Sequence, residues 1–279
     1  MIRLMLTVLL LLTSQARAEP AVWVVRGPHA TVYLLGSVHL LRPGTEWLGP
    51  VVRRVFDEAD ECWFEATIPD DPSSLSAYYA RAAFDFGLPL SSLLTPEQNA
   101  KLTEVARTLG VTMNLDTMRP WFAGTLLALQ VMTQAGYDPS RGADLVLMRM
   151  AEEAGKHIEG IETAEGQLHL MAELPQHLAA SMLVSILDDA ASASQTIDRF
   201  VERWQAGSTD PVAEDLRTTP ELRKLILTDR NRNFAHAVAQ LLLGDKTVLV
   251  TVGAAHLSGP GNVREMLEHE GLIVERVTD

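Results

Sequence analysis

Two stretches of this chain share one pattern, TVLVTVGAAH at residues 247–256 and TVYLLGSVH at residues 31–39. Each is an apolar run rich in β-branched residues, which favours a β-strand, and each then reaches a glycine followed three residues later by a histidine. The pattern places His39 just after one strand and His256 just after the other. If the two strands are neighbours in one sheet, both histidines lie at the same edge of it.

The sequence around the first stretch predicts how the sheet begins. Residues 22–25 and 31–35 flank a turn containing glycine and proline, which predicts an antiparallel hairpin. Residues 47–59 then form an amphipathic pattern typical of a helix, and residues 62–66 form a short apolar strand. The order strand, helix, strand favours a parallel crossover connection.

The middle of the chain is predicted to be mainly helical. Proline at the first helical position and a Thr95–Gln98 capping box mark one helix start. We predict an α/β fold in which a mixed sheet of N- and C-terminal strands carries a large central helical insertion at about 70–240, within a single domain of residues 19–279. The predicted central and C-terminal elements are helices at 96–109, 121–135, 142–154, 164–190, 192–206, 219–243 and 260–270, and strands at 157–162, 247–252 and 272–277.

Residues 1–18 predict a secretory signal peptide. A basic start is followed by an apolar run from Leu4 to Leu12, and the sequence ARA before Glu19 fits a cleavage site after Ala18. The run is about half the roughly 20 residues needed to span a bilayer, which argues against a membrane anchor. We therefore expect an exported protein, secreted or periplasmic, without stable membrane insertion.

The charge balance limits the classes of possible partner, and the cysteine content limits the possible disulfides. The chain carries a net charge of −13, and loss of Arg3 and Arg17 with the signal peptide makes it −15. Such an acidic protein is a poor candidate for binding nucleic acid or anionic lipid, both of which need basic patches. The single cysteine, Cys62, excludes an internal disulfide and fits a buried strand position.

Four side chains at predicted strand ends are candidate metal ligands: His39, His256, Glu65 and Glu162. Two histidines and a carboxylate form a common ligand set for Zn²⁺, Mn²⁺, Co²⁺ or Fe²⁺, and Glu65 is also a candidate general base. Each residue has a structural alternative. The histidines can bond to loop backbone, Glu65 can face solvent or pair with an arginine, and Glu162 can sit favourably at a helix N-terminus.

Arg230 and Asn231 are candidate catalytic residues. They lie in the segment RNRN at 230–233, inside a predicted helix where asparagine is a poor helix former. Such groups can hold a carboxylate or stabilise a substrate carbonyl as it becomes an oxyanion. The alternative is a hydrated helix face on which Asp229 pairs with an arginine.

These motifs together resemble the TraB/GumN family, whose animal relatives include the Tiki proteins. The resemblance rests on GSVH at 36–39, FE at 64–65, GIET at 160–163, DRN at 229–231 and VGAAHLSG at 252–259. It implies a Tiki/TraB-type α/β fold related to the erythromycin-esterase and haem-binding ChaN group. It also implies a metalloprotease-like site using Mn²⁺ or Co²⁺, with two Gly-x-x-His motifs and a glutamate.

Carried to this chain, the resemblance implies a metal-dependent hydrolase, most simply a peptidase, in which His39 and His256 bind the metal. Glu65 would be the third ligand or the base for a metal-bound water, with Glu162, Arg230 and Asn231 in supporting roles. The metal would be Mn²⁺, Co²⁺ or Zn²⁺, and the substrate a peptide or other small polar molecule. The alternatives are a periplasmic protein that sequesters a peptide, haem or metal without turnover, and an accessory factor for envelope assembly.

Overall fold

The computed structural model describes residues 19–67, 75–208 and 219–278, so the predicted signal peptide lies outside the described residues. The strands are β1 Val22–Arg26, β2 Thr31–Ser37, β3 Glu61–Thr67, β4 His157–Thr163, β5 Thr247–Gly253 and β6 Val274–Arg276. The α-helices are α1 Pro50–Glu58, α2 Ser76–Ala83, α3 Pro96–Thr108, α4 Pro120–Gln134, α5 Ala143–Glu153, α6 Ala164–Ala172, α7 Gln176–Asp189, α8 Ala193–Gln205, α9 Pro220–Arg223, α10 Asp229–Leu241 and α11 Val263–His269.

The six strands form one mixed sheet in the order β4-β3-β5-β2-β1-β6. β4, β3, β5 and β2 are parallel, whereas β1 runs the opposite way and pairs antiparallel with β2 on one side and with the edge strand β6 on the other. The predicted hairpin and the parallel β2–α1–β3 unit are both confirmed, with the C-terminal strand β5 inserted between β2 and β3. The predicted α/β fold is therefore correct, and β4, from the middle of the chain, extends the sheet edge.

Alternate side chains of β5 belong to two different core clusters, one on each face of the sheet. Val248, Val250 and Val252 pack into a cluster with side chains of α10 and α11 on one face of the sheet. Leu249 lies in a second cluster, on the other face, with side chains of α1, α5 and α8. Because successive strand residues point to opposite faces, the buried strand β5 is apolar on both.

The remaining helices pack mainly on one another. A cluster centred on Leu127 of α4 and Leu183 of α7 also takes in Leu102 of α3. The capping box that begins α3 is formed as predicted, with Thr95 and Gln98 bonding to each other's backbone.

Two predicted helices differ from those observed. The helix predicted over 164–190 is wrong: it is broken into α6 and α7 by Pro175, which disfavours a helical conformation in the residue before it. The helix predicted over 219–243 contains a π-helical turn at Lys224–Thr228, between α9 and α10. The second departure has a consequence for the site, because the residue two positions after this turn is Arg230.

Candidate functional site

The two glycine–histidine loops meet at the carboxyl edge of the sheet. The β2–β5 register places Ser37 opposite Gly253, so the loops after both strands begin at the same level. A Cβ atom on Gly253 would lie 3.4 Å from Glu65 Oε2, 3.6 Å from His256 Cδ2 and 3.7 Å from His39 Nε2. The structure therefore brings three of the candidate residues around one point.

The two motif glycines have different surroundings. A Cβ on Gly36 would lie 2.9 Å from Ala254 Cα, closer than real Cβ contacts, so Gly36 lets the two loops pack directly together. A Cβ on Gly253 would instead enter the space between the candidate side chains at ordinary contact distances. The first glycine is needed for packing, and the second keeps the site open.

Arg230 contacts Glu65, Glu162 and His256. Its Nε donates to Glu162 Oε1 over 2.9 Å, and its Nη2 donates to Glu162 Oε2 over 2.6 Å and to Glu65 Oε1. Its Nη1 lies 3.2 Å from Ile226 O and 3.3 Å from His256 Nε2. All five N–H bonds of the guanidinium thus have an acceptor, and the side chain is only 15% exposed.

The π turn helps to place this arginine. Asp229 N bonds to Lys224 O, five residues back, which is the π-helical spacing. The turn adds a residue to the helix immediately before Arg230 and includes Ile226, whose carbonyl accepts from the guanidinium. Single π turns inside α-helices are frequent at functional sites.

His256 is held in one tautomer. Asn231 Nδ2 donates to Gly261 O over 2.7 Å, which leaves Asn231 Oδ1 to accept from His256 Nδ1 at 2.6 Å. Nδ1 therefore carries the proton, and Nε2 presents its lone pair to Arg230. Both residues are 3% exposed, so Asn231 orients the imidazole from behind.

Burial lowers the pKa of His256 to about 4, so this imidazole is neutral near pH 7. Burial by itself would raise the pKa of Glu65. The attraction of His256 and Arg230, with the 3.0 Å bond from Gly253 N, outweighs it and lowers that pKa to about 2. Glu65 is consequently an ionised carboxylate over the physiological range.

His39 is largely exposed, in contrast to the buried His256. Its side chain is 58% exposed, and its Nδ1 donates to Asp144 Oδ2 over 2.7 Å. The hydrogen bond to Asp144 raises the pKa of His39 above 6.5 despite partial desolvation. With Nδ1–H directed at the carboxylate, the unprotonated Nε2 faces the point near Gly253.

Sequence reasoning missed Asp144 and Gln167. Asp144 stands in the first turn of α5. Gln167 Nε2, on α6, donates over 3.0 Å to both Glu65 Oε1 and Glu162 Oε2. The only sequence signal for Asp144 was its place beside Gly142, at a predicted helix start. A Cβ on Gly142 would lie 2.4 Å from His39 O, so this glycine lets α5 approach the histidine loop.

The site opens into a cleft of about 300 Å³. Two oxygens at the cleft, Thr251 Oγ1 and Asp144 Oδ1, are buried and have no hydrogen-bond partner among the described residues. An unsatisfied buried oxygen costs about 1–3 kcal/mol, a cost that a bound water or ligand donor would relieve. The remaining cleft-lining residues are Ser37, His39, Phe64, Glu65, Ala66, Thr67, Leu75, Leu145, Met148, Ala164 and Gln167.

The resemblance implies a metal site among these residues. Glu65, Glu162 and His256 Nε2 do supply suitable ligand atoms, but each already accepts a hydrogen bond from Arg230. Within residues 19–67, 75–208 and 219–278, no group of three or more His, Cys, Asp or Glu side chains is arranged to hold a metal ion. In this arrangement the donor set does not fit a cation, because a guanidinium fills its centre.

The described helices differ from membrane-spanning helices in length and composition. In the described part of the chain, no single helix is both long enough and apolar enough to cross a bilayer. Among the described helices, one pair, α6 and α7, would together satisfy the length and composition, and the two are bent by 97° at their junction.

The chain is similar to known proteins over most of its length. The chain is 24% identical over 257 residues to the uncharacterized protein YbaP of Escherichia coli K12, and equally to that of Shigella flexneri. Each alignment covers 89% of this chain and 92% of the relative. No solved structure shows significant similarity to it. The profile of the TraB/PrgY/gumN family matches residues 21–276, and the chain therefore belongs to that family.

Proposed function

We propose that this protein is an exported hydrolase that cleaves peptide bonds or related acyl bonds in the cleft beside Gly253. The observation that carries the proposal is the meeting of His39 Nε2, Glu65 Oε2 and His256 around one point, where His39 and Glu65 also line the cleft. The preference for peptides rests on the resemblance to Tiki proteins. Export rests on the pattern of residues 1–18, and mass spectrometry should find the secreted chain beginning at Glu19.

His39 is the better general base of the two candidates. A base works best when its pKa lies near the working pH, and the pKa of Glu65, about 2, is far below neutrality. The pKa of His39 is raised from 6.5, and its Nδ1 is fixed by Asp144 in the manner of an acid–histidine pair. His39 Nε2 takes a proton from water, and the hydroxide attacks the substrate carbonyl carbon.

Arg230 supplies the positive charge for the oxyanion that forms. Its 3.3 Å contact from Nη1 to His256 Nε2 is the longest of its hydrogen bonds, and His256 is neutral, so a substrate oxygen can displace this acceptor. Glu65 and Glu162 hold the guanidinium in place through its other nitrogens. Protonated His39 then returns its proton to the leaving amine as the tetrahedral intermediate collapses.

Replacing Gly253 with alanine tests the site directly. The new methyl group would meet its neighbours at 3.4 Å or more, so the protein should fold, but it would fill the space where water and substrate meet. We expect kcat/KM on a fluorogenic peptide library to fall by about 10²-fold. Gly36→Ala is the matched control: its methyl would lie 2.9 Å from Ala254 Cα, so stability should fall instead. Full activity in Gly253→Ala would refute the site.

The pH profile of Asp144→Asn tests the assignment of the base. A base is active when deprotonated, so wild-type kcat/KM should rise with pH through the pKa of His39, above 6.5. Loss of the hydrogen bond and charge of Asp144 lowers that pKa, so the acid limb should move to lower pH, and the plateau should also fall. A limb that stays in place would show that His39 is not the group being titrated.

The second candidate is a binding protein without turnover. It is favoured by one observation: all five N–H donors of Arg230 already have acceptors inside the protein, as in a finished structural network. Calorimetric titration with the peptides of the library separates the two. Binding without any product, in wild type and His39→Ala alike, would favour this candidate.

A further inference from the structure

We infer that Arg230 takes the position of the metal ion in this site, so that the native protein works without a bound metal. We further infer that removing this one side chain turns the same acceptors into a divalent-cation site. The inference concerns the site of the proposed function but does not depend on its reaction. The acceptor side chains are of types that bind cations, yet a guanidinium already lies at their centre.

The acceptors around Arg230 are of the chemical kinds that bind metal ions. Glu162 and Glu65 each direct carboxylate oxygens at the guanidinium, and His256 directs Nε2 at it. Imidazole nitrogen and carboxylate oxygen are both ligand types that zinc takes in proteins, and a catalytic zinc needs three such ligands with a fourth position open. The three side chains come from β4, β3 and the loop after β5, so the rigid sheet edge keeps them together.

The imidazole is prepared as a ligand by its neighbours. Asn231, itself fixed by Gly261 O, holds the proton on His256 Nδ1 and leaves the Nε2 lone pair directed at the guanidinium. A metal-binding histidine is oriented in the same way, through a hydrogen bond at its other nitrogen. Here that oriented lone pair faces a permanent cation of the chain itself.

The guanidinium and a metal ion exclude each other. Glu65 and Glu162 are mostly buried, and the acceptor atoms that a metal would use already bond to the N–H groups of Arg230. A divalent ion among these atoms would also stand next to a fixed positive charge. With the arginine shortened to alanine, two carboxylates and one imidazole are left facing a vacated volume.

The test measures metal binding and melting temperature, not activity. Wild type, Arg230→Ala and the control Arg232→Ala are incubated with Zn²⁺, Mn²⁺ or Co²⁺, dialysed and analysed for metal. We expect wild type and Arg232→Ala to retain almost none and to melt at the same temperature with or without a chelator. Arg230→Ala should retain about one equivalent of zinc, roughly tenfold more than wild type, and zinc should raise its melting temperature.

A second variant covers the case in which Arg230→Ala folds poorly. Arg230→Ala combined with Glu162→Gln and Glu65→Gln carries neither of the two carboxylates that the loss of Arg230 leaves unpaired, and it should bind no more zinc than wild type. Equal zinc in this variant and in Arg230→Ala would overturn the inference. So would a wild-type protein that holds one equivalent of metal and melts at a lower temperature once a chelator removes it. Neither result depends on hydrolysis. The proposed reaction can therefore fail while the inference stands, and the inference can fail while the proposed reaction stands.

Discussion

Arg230→Met is expected to lower the free energy of unfolding by about 3–5 kcal/mol, the usual cost of breaking a buried ion pair from one side. Methionine keeps much of the volume but leaves Glu65 and Glu162 without their cation in a largely buried setting. Urea denaturation at pH 7 measures the loss. A loss under about 1 kcal/mol, as for an exposed pair, would contradict the central role of this arginine.

The pH dependence of that loss has a definite sign. The pKa of Glu65 in the folded protein, about 2, is below its unfolded value of 4.5, so its stabilising contribution is present above pH 4.5 and lost as pH falls toward 2. Arg230→Met has already lost the part of that contribution that Arg230 supplies, beside the parts from His256 and Gly253 N. The difference in unfolding free energy between wild type and variant should therefore shrink as the pH is lowered through this window.

The same helix offers a matched control. Arg232, two residues further along α10, is 61% exposed and pairs with Asp229. Arg232→Met should change the free energy of unfolding by less than about 1 kcal/mol, because exposed pairs contribute little. Adding Glu65→Gln and Glu162→Gln to Arg230→Met should restore part of the lost stability, since a buried amide carries no charge.

His39→Ala is expected to lower kcat/KM by about 10²–10⁴-fold, the usual contribution of a general base. Its imidazole is more than half exposed, so the free energy of unfolding should change little. The measurement is hydrolysis of the fluorogenic peptides that wild type cleaves, with unfolding followed in parallel. Such a split between activity and stability is the mark of a residue that acts on substrate.

His29→Ala is the control for this variant. His29 is exposed in the turn between β1 and β2, at the other end of the strand that leads to His39. Its replacement should leave both kcat/KM and stability unchanged. If His39→Ala behaves like His29→Ala, the general base is another group and the proposed mechanism is wrong.

The sequence by itself indicated the α/β class and the two strands that end at the Gly-x-x-His motifs. The strands 31–37 and 247–253 were predictable because a buried parallel strand must be apolar on both faces, which local composition records. That both Gly-x-x-His loops lie at one edge was a conditional prediction, and the parallel pairing of β2 with β5 in the structure confirms it. Glu65 was identifiable because a carboxylate at the end of an apolar strand needs a partner.

Only the tertiary structure decided what each of these residues does. His39 and His256 stand in the same motif, yet contact with Asp144 raises the pKa of one, while burial lowers the pKa of the other to about 4. Arg230 became the centre of the site through acceptors up to 165 residues away in sequence. Protonation and ion pairing depend on burial and on contacts between distant segments, and a local pattern of residue types contains neither.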